Sequence, residues 1–498
     1  MNLISEQMET HPATSSVTGP GEFDTSQMLA TIQRIVGFGV RRPGYAQSLA
    51  VEQWLEAAWQ EAGLTEIRRE PVPVNCWEPT RTALATADGA LDLPCFPIPY
   101  TAWTPAAGLD APAAFVGNGS ADDFKGVELR GRIAVLEARF TELTGAALKR
   151  GASFVRDAGK TIPDGSLHAA NWLIRNFPAY YEAQRRGAVG FIGLLVDSPT
   201  DGCEFFVPYD GGLKGLPAVW VGREHAARVR DLARTGQRLQ LTSLGKVGVV
   251  ESHNIVGVVP GAGRDAKGED ESIVVTCHHD APFASAVEDA SGLSVLLALA
   301  REFGAAPRRL RRDLVFIAAS GHFHGGVGNR VFVERHTGGF LQRTVAAFGI
   351  EHIGEEAEPD GRGGYRLTGR PEVRALFFDG SRRFAGLLEA AAVRHNLDRV
   401  ICADAYAFGS EPPCDSAPFF TAGIPSACHI SGPLYLFDPH DTVDKVRAVD
   451  LPVVAGFFAE AIRSVDALPA AELAEGMKRP RGSPPAPPPA WFQPPPRS

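Results

Sequence analysis

The stretch Ile273-Val274-Val275-Thr276-Cys277-His278-His279-Asp280, with Glu288-Asp289-Ala290-Ser291-Gly292 close behind it, decides how this chain reads. Four β-branched residues in a row predict a strand buried on both faces, as in a parallel sheet. That strand delivers His278-His279-Asp280 at its carboxyl end. Alternation along an extended chain puts His278 and Asp280 on one side, so the carboxylate can hold the second N–H of a metal-ligating imidazole. A loop with two more carboxylates then leads through small residues into an apolar helix over 291–303. Just beyond the strand ends is where α/β sheets keep their sites.

Outward from this point the texture repeats. Strands at 272–277, 313–319 and 344–350, with later runs at 400–403 and 424–428, alternate with helices at 290–304, 381–396 and 446–465. This predicts an α/β fold with a mixed, mostly parallel sheet flanked by helices. Amphipathic helices at 25–37 and 45–62 precede it. Between 71 and 244, short β-type runs alternate with Gly-, Pro- and Asp-rich turns, which predicts an inserted β-rich domain. The expected division is a disordered terminus at 1–24, an α/β domain from 25–70 and 245–470, the insert at 71–244, and a tail at 471–498, proline-dense from 479.

The chain has 498 residues, 44% hydrophobic and 21% charged, with a formal charge of −9 and a pI near 5.9. That balance argues against nucleic acid or an anionic membrane as the main partner. Seven cysteines without a CxxC pair fit reduced thiols. Residues 1–21 lack a basic segment followed by an apolar one, and no apolar run reaches the ~20 residues of a membrane span. A cytoplasmic protein is expected.

Nine of the 13 histidines fall between 278 and 440, several where a strand meets a loop, and Asp280, Glu288, Asp289, Glu351 and Asp441 join them. Here the sequence resembles the zinc-dependent exopeptidases that include bacterial leucyl aminopeptidases, glutaminyl cyclases and the transferrin-receptor ectodomain. The resemblance is carried by Ser252-His253-Asn254-Ile255-Val256-Gly257, by His278-His279-Asp280, by Glu288-Asp289-Ala290-Ser291-Gly292 and by Asp441-Thr442-Val443-Asp444-Lys445-Val446. Residues 187–193 and 216–232 resemble the protease-associated domain that many members carry as an insertion.

The resemblance implies a metal held by His278, Glu288 and Glu351, with Asp280 supporting His278. It also marks departures. The family's Glu-Glu-x-Gly falls on His322-Phe323-His324-Gly325, which puts a histidine at the catalytic base and a phenylalanine at a second-metal ligand. The second metal's histidine falls on Phe437. A phenyl ring cannot ligate, so one divalent ion is expected, zinc first, with iron and manganese also open. His324 and His440 lie one and three residues from the lost ligands, and a one-residue shift turns a side chain away. His278, His322 and a glutamate form an alternative two-histidine, one-carboxylate set that also suits iron(II). His279 and His352 each follow a candidate ligand, so alternation sends them to the opposite face.

His322 is the expected acid/base, since imidazole titrates near neutrality. Phe323, His324, His429, Tyr435, Phe437 and His440 are the candidate substrate pocket, and 204–214 a candidate lid. The expected function is a metal-dependent hydrolase of an amide, peptide or related carbonyl bond in a small molecule or short peptide. A non-catalytic binding protein and a lyase or cyclase on the same scaffold are the alternatives, and self-association is left open.

Overall fold

The computed structural model describes residues 23–263, 271–306 and 309–483. The disorder expected for 1–22 and 484–498 lies outside these residues. Strand Ser272–His278 is buried along its whole length. It pairs in parallel with Asp313–Ala319 on one side and Thr344–Ile350 on the other. Beyond Thr344–Ile350 come Ser426–Ser431, in parallel, then Arg374–Asp379, antiparallel, then Val400–Cys402. On the other flank Asp313–Ala319 pairs antiparallel with Arg238–Val259. The sheet is therefore mixed, with a parallel centre.

Alternation sorts the strand residues into two cores. Ile273, Val275, Phe316 and Phe348 face the helices Gly292–Gly304, Leu451–Asp466, Thr25–Val36 and Ala46–Glu61. Val274, Val315, Ile317 and Ala347 face Phe332 and Val333 of helix Val327–His336 and Phe419 of Ala417–Thr421. Some helix starts carry a side-chain cap. Asp24 accepts the amides of Ser26 and Gln27, and Ser381 accepts that of Phe384 at the start of Arg382–Arg394. No helix among the described residues is long and apolar enough to cross a membrane.

Three boundaries differ from the sequence reading. The expected insert edges at 71 and 244 fall inside two continuous 22-residue strands, Thr65–Thr86 and Arg238–Val259, paired antiparallel to each other. The insert is α/β and not simply β-rich. Leu109–Phe115, Ile133–Glu137, Gly190–Leu194 and Ala218–Val221 run in parallel, with helices Pro178–Arg185 and Arg223–Arg234 beside them. Phe154–Arg156, also from the insert, pairs with Val400–Cys402 at the edge of the main sheet. Finally, the expected tail begins too early. Ala470–Ala474 is a helix whose Leu473 is buried, and the Arg481 guanidinium donates to the carbonyl of Leu341.

Candidate metal centre

The carboxyl ends of the three parallel central strands converge on one buried spot. His278 is the last residue of its strand and fully buried. Its Nδ1 lies 3.0 Å from the backbone carbonyl of Asp280, which turns Nε2 inward. The Asp280 carboxylate is 4.0 Å from Nδ1. It accepts instead the amides of His322 (3.1 Å) and Phe323 (2.8 Å). The expected carboxylate support of His278 is thus corrected: the strand stops at His278, period-two alternation stops with it, and the carbonyl takes that place.

His322 and Phe323 sit in a 3₁₀ turn, His322–His324, bracketed by Gly321 (φ 74°) and Gly325 (φ 78°). Left-handed backbone at both ends makes the turn tight enough to aim His322 back over the strand ends. The His322 ring stacks between His278 (centroids 4.0 Å, 14°) and Tyr209 (5.4 Å, 17°). Its Nδ1 faces Asp415 Oδ1 at 3.5 Å, and its Nε2 lies 3.9 Å from Glu288 Oε1. Asn329 donates to the other Asp415 oxygen at 2.8 Å.

Glu288 is held by its own backbone. The Asp441 carboxylate accepts the amides of Val287 (2.7 Å) and Glu288 (2.9 Å), which gives the late Asp-Thr motif a physical role. Burial pushes the Asp441 carboxyl up to about 7 despite those amides. Glu288 Oε1 lies 3.1 Å from His278 Nε2, and Oε2 lies 2.6 Å from His352 Nε2. His352 is a ligand candidate that alternation placed on the wrong face. The strand ends at Ile350, and His352 adopts φ 54°, which swings its ring back beside Glu351. Its Nδ1 is 2.6 Å from the Ser431 carbonyl. His279 does turn away, with Nε2 3.0 Å from the His253 carbonyl.

Burial and the pairing of imidazoles with carboxylates set the electrostatics of the cluster. Burial opposes charge on Glu288, yet His352 and His278 hold its carboxyl well below the usual range. Burial likewise opposes His352, and Glu288 beside it raises it to about 10. Burial pushes the Glu351 carboxyl up to about 6, with Asp415 adding and His352 opposing. His278 Nε2, both Glu288 oxygens, Glu351 Oε2 and His352 Nε2 are all buried without a well-formed hydrogen bond. Imidazoles and carboxylates buried together at one point are costly unless they pair with one another or share a cation, so the residues fit a metal ion. Two overlapping groups bring donor atoms within 4.8 Å of one another: His278, Glu288 and His352, and His278, His322 and Glu351. The expected trio of His278, Glu288 and Glu351 does not form a group of its own. Both glutamates share His278, and they differ in the second histidine, His352 for Glu288 and His322 for Glu351.

A cavity of about 380 Å³ opens beside the cluster. Tyr209, His322, Glu351, His352, Asp415 and Phe437 line it. Phe437 stacks on Tyr209 at 5.4 Å, and Phe323 packs beneath both rings, fully buried. Of the other pocket candidates, none lines the cavity. His324 turns outward, where its Nε2 accepts the Asn75 amide at 2.9 Å. His429 points to the helix face, 6.4 Å from the Phe458 ring, with Nδ1 3.0 Å from the Glu351 carbonyl. Tyr435 donates to the Glu355 carbonyl at 2.8 Å, and the exposed His440 pairs with Asp438 at 3.0 Å. Segment 204–214 does lie over the site: Phe206 N donates to the Phe437 carbonyl and Gly325 N to that of Tyr209. Asp415 was missed because nothing in its periodicity marks it, and Tyr209 because its partner is more than a hundred residues away.

Residues 254–456 match the sequence profile of Peptidase family M28. Over 154 residues the chain is 23% identical to aminopeptidase NAALADL1 of Mus musculus, covering 30% of this chain and 20% of that relative. The chain thus spans about a fifth of the length of the curated relative it matches. Among solved structures, a zinc aminopeptidase from Bacillus subtilis superposes with a TM-score of 0.67 at 19% identity, covering 92% of this chain and 100% of that one. An aminopeptidase from Aneurinibacillus sp. strain AM-1 gives 0.58 at 21% identity, covering 92% and 98%. A peptidase M28 precursor from Shewanella amazonensis SB2B gives 0.65 at 19%, covering 93% and 96%. At these identities the likeness is one of fold. Residues 254–456 are thus similar to peptidase family M28, in a chain that has the fold of the zinc aminopeptidases.

Proposed function

We propose that the chain is a hydrolase of amide or peptide bonds in small substrates, working with a single catalytic ion, zinc first. The observation that carries this reading is the convergence of buried donor atoms of His278, Glu288 and His352 within 4.8 Å of one another, beside a cavity that His352 lines. These three would hold the ion, and two imidazoles with one carboxylate leave coordination positions for substrate and water. The bound ion would supply Lewis-acid polarisation of the carbonyl and acidify a water.

This chain's own groups do the rest. His322 is fixed face-on by His278 and Tyr209, which leaves its ring edges free to exchange protons. Asp415 faces Nδ1 and favours a proton there, so Nε2 is the atom that takes a proton from water and returns it to the leaving group. Tyr209, Phe323 and Phe437 exclude water from that side. Leu143, Leu148, Leu167, Leu173, Phe377 and Phe408 make the far end of the cavity apolar, which supports a substrate with a hydrophobic group. Residues 71–244 act in this reading as an accessory unit of the protease-associated kind, contributing Leu143, Leu148 and Tyr209 to the cavity. Seven unpaired cysteines support a reducing, cytoplasmic setting.

The test is metal content and turnover measured together. Purified protein should hold metal by elemental analysis and cleave members of a panel of amino-acyl and N-acyl amides, and chelation should abolish the cleavage. His278→Ala and His352→Ala should each lower metal affinity at least tenfold and remove activity. Full metal retention in both variants refutes the ligand set.

A further inference from the structure

We propose that Glu351, Cys414 and Cys428 form a second cation site, for a thiophilic divalent ion such as zinc, on the Oε1 side of Glu351. One donor atom from each residue lies within 4.8 Å of the other two. Cys428 Sγ is 3.3 Å from Glu351 Oε1. Ser416 Oγ, 3.5 Å from Cys414 Sγ, is a fourth donor in reach. Tetrahedral zinc with Zn–S near 2.3 Å and Zn–O near 2.0 Å sets its ligand atoms roughly 3.3–3.8 Å apart. The Cys428–Glu351 separation of 3.3 Å and the Cys414–Ser416 separation of 3.5 Å fall in that window.

The cluster is assembled by the sheet. Gly349 sits opposite Cys428 in the register of Thr344–Ile350 with Ser426–Ser431, two residues before Glu351. A Cβ at Gly349 would lie 2.5 Å from Ser416 Oγ and 2.6 Å from Cys428 Sγ. The glycine thus leaves the room that the sulfur and hydroxyl occupy. Cys428 is fully buried, while Cys414 lines the cavity, so an ion has both an anchor and a way in. The donor set differs in chemistry from the histidine centre: two sulfurs and a carboxylate select softer ions than imidazoles do. It uses none of His278, Glu288 and His352. It does touch catalysis indirectly, because Asp415, next to Cys414, donates its amide to Glu351 Oε1 at 2.9 Å and turns its carboxylate to His322.

Cobalt(II) added to the full-length protein, kept reduced, tests this. The wild type should bind two cobalt ions per chain and develop a sulfur-to-cobalt charge-transfer band in the near ultraviolet. Cys428→Ser, and independently Cys414→Ser at the cavity wall, should lower the count to one and remove or weaken the band. His278→Ala should also lower the count to one but keep the band. Cobalt bound by the wild type without any such band overturns the site, as does a band unchanged in both cysteine variants. A His278→Ala chain that still binds two ions overturns the hydrolytic centre instead and leaves the thiol site standing.

Discussion

Asp415 bears on three groups at once: its amide holds Glu351, its Oδ1 faces His322, and Asn329 anchors its Oδ2. Asp415→Asn keeps the size and removes the charge that favours the reactive tautomer of His322. Metal content should stay at the wild-type level while kcat falls roughly 100–10,000-fold, in the range general acid–base catalysis contributes. Unchanged kcat would remove His322 from the proton path. Glu372 makes a second prediction from burial alone. It lines the cavity, its Oε1 has no hydrogen-bond partner, and burial with Glu356 nearby raises its carboxyl to about 8 from the ordinary 4.5. The folded chain holds a proton there that the unfolded chain has already released, so stability falls as pH rises from about 4.5 to about 8. Each pKa unit is worth about 1.4 kcal/mol, so a few kcal/mol are at stake. Glu372→Gln should raise Tm at pH 8–9 and leave it nearly unchanged at pH 5. Equal shifts at both pH values would contradict this. At this scale the sequence named His278, Glu288 and Glu351, and the fold brings all three near one another. His352 escaped it because a single left-handed residue overrides strand alternation.

The elements that matter most are the turns after each parallel strand. Gly321 begins the His322 turn with φ 74°, and a Cβ there would meet Val327 Cγ1 at 2.6 Å. Gly321→Ala should cost about 1–2 kcal/mol from the left-handed conformation alone, with the contact adding to it. Because the same turn aims His322, activity should fall further than stability explains. Denaturant melts and kcat on one preparation check this, and an active, fully stable variant would show the turn to be permissive. The strands themselves were legible almost to the residue. Asp313–Ala319 and Thr344–Ile350 match their expected spans because unbroken apolar runs admit little else. The turns were not, since their geometry depends on what each loop packs against.

Across the whole molecule, sheet and insert are one piece. The paired strands Thr65–Thr86 and Arg238–Val259 run through both, and Phe154–Arg156 reaches across to the far edge of the main sheet. An ion at the histidine centre would tie together loops from 278, 288 and 352. Chelation should therefore lower Tm by several degrees, since ligand at a hundred times its Kd contributes about 2.7 kcal/mol. Re-adding zinc should restore it, and a Tm indifferent to chelator would mean the folded state gains nothing from metal. The sequence by itself determined the parallel core, the order of the strands' motifs and the family likeness, because buried periodicity and metal-ligand spacing are local properties. Only the tertiary structure decided which donors meet, that Asp280 supports His322 instead of His278, and that His352, Asp415 and Tyr209 belong to the site. Those are distances between segments far apart in the chain, set by packing and backbone handedness, which no window of residues records.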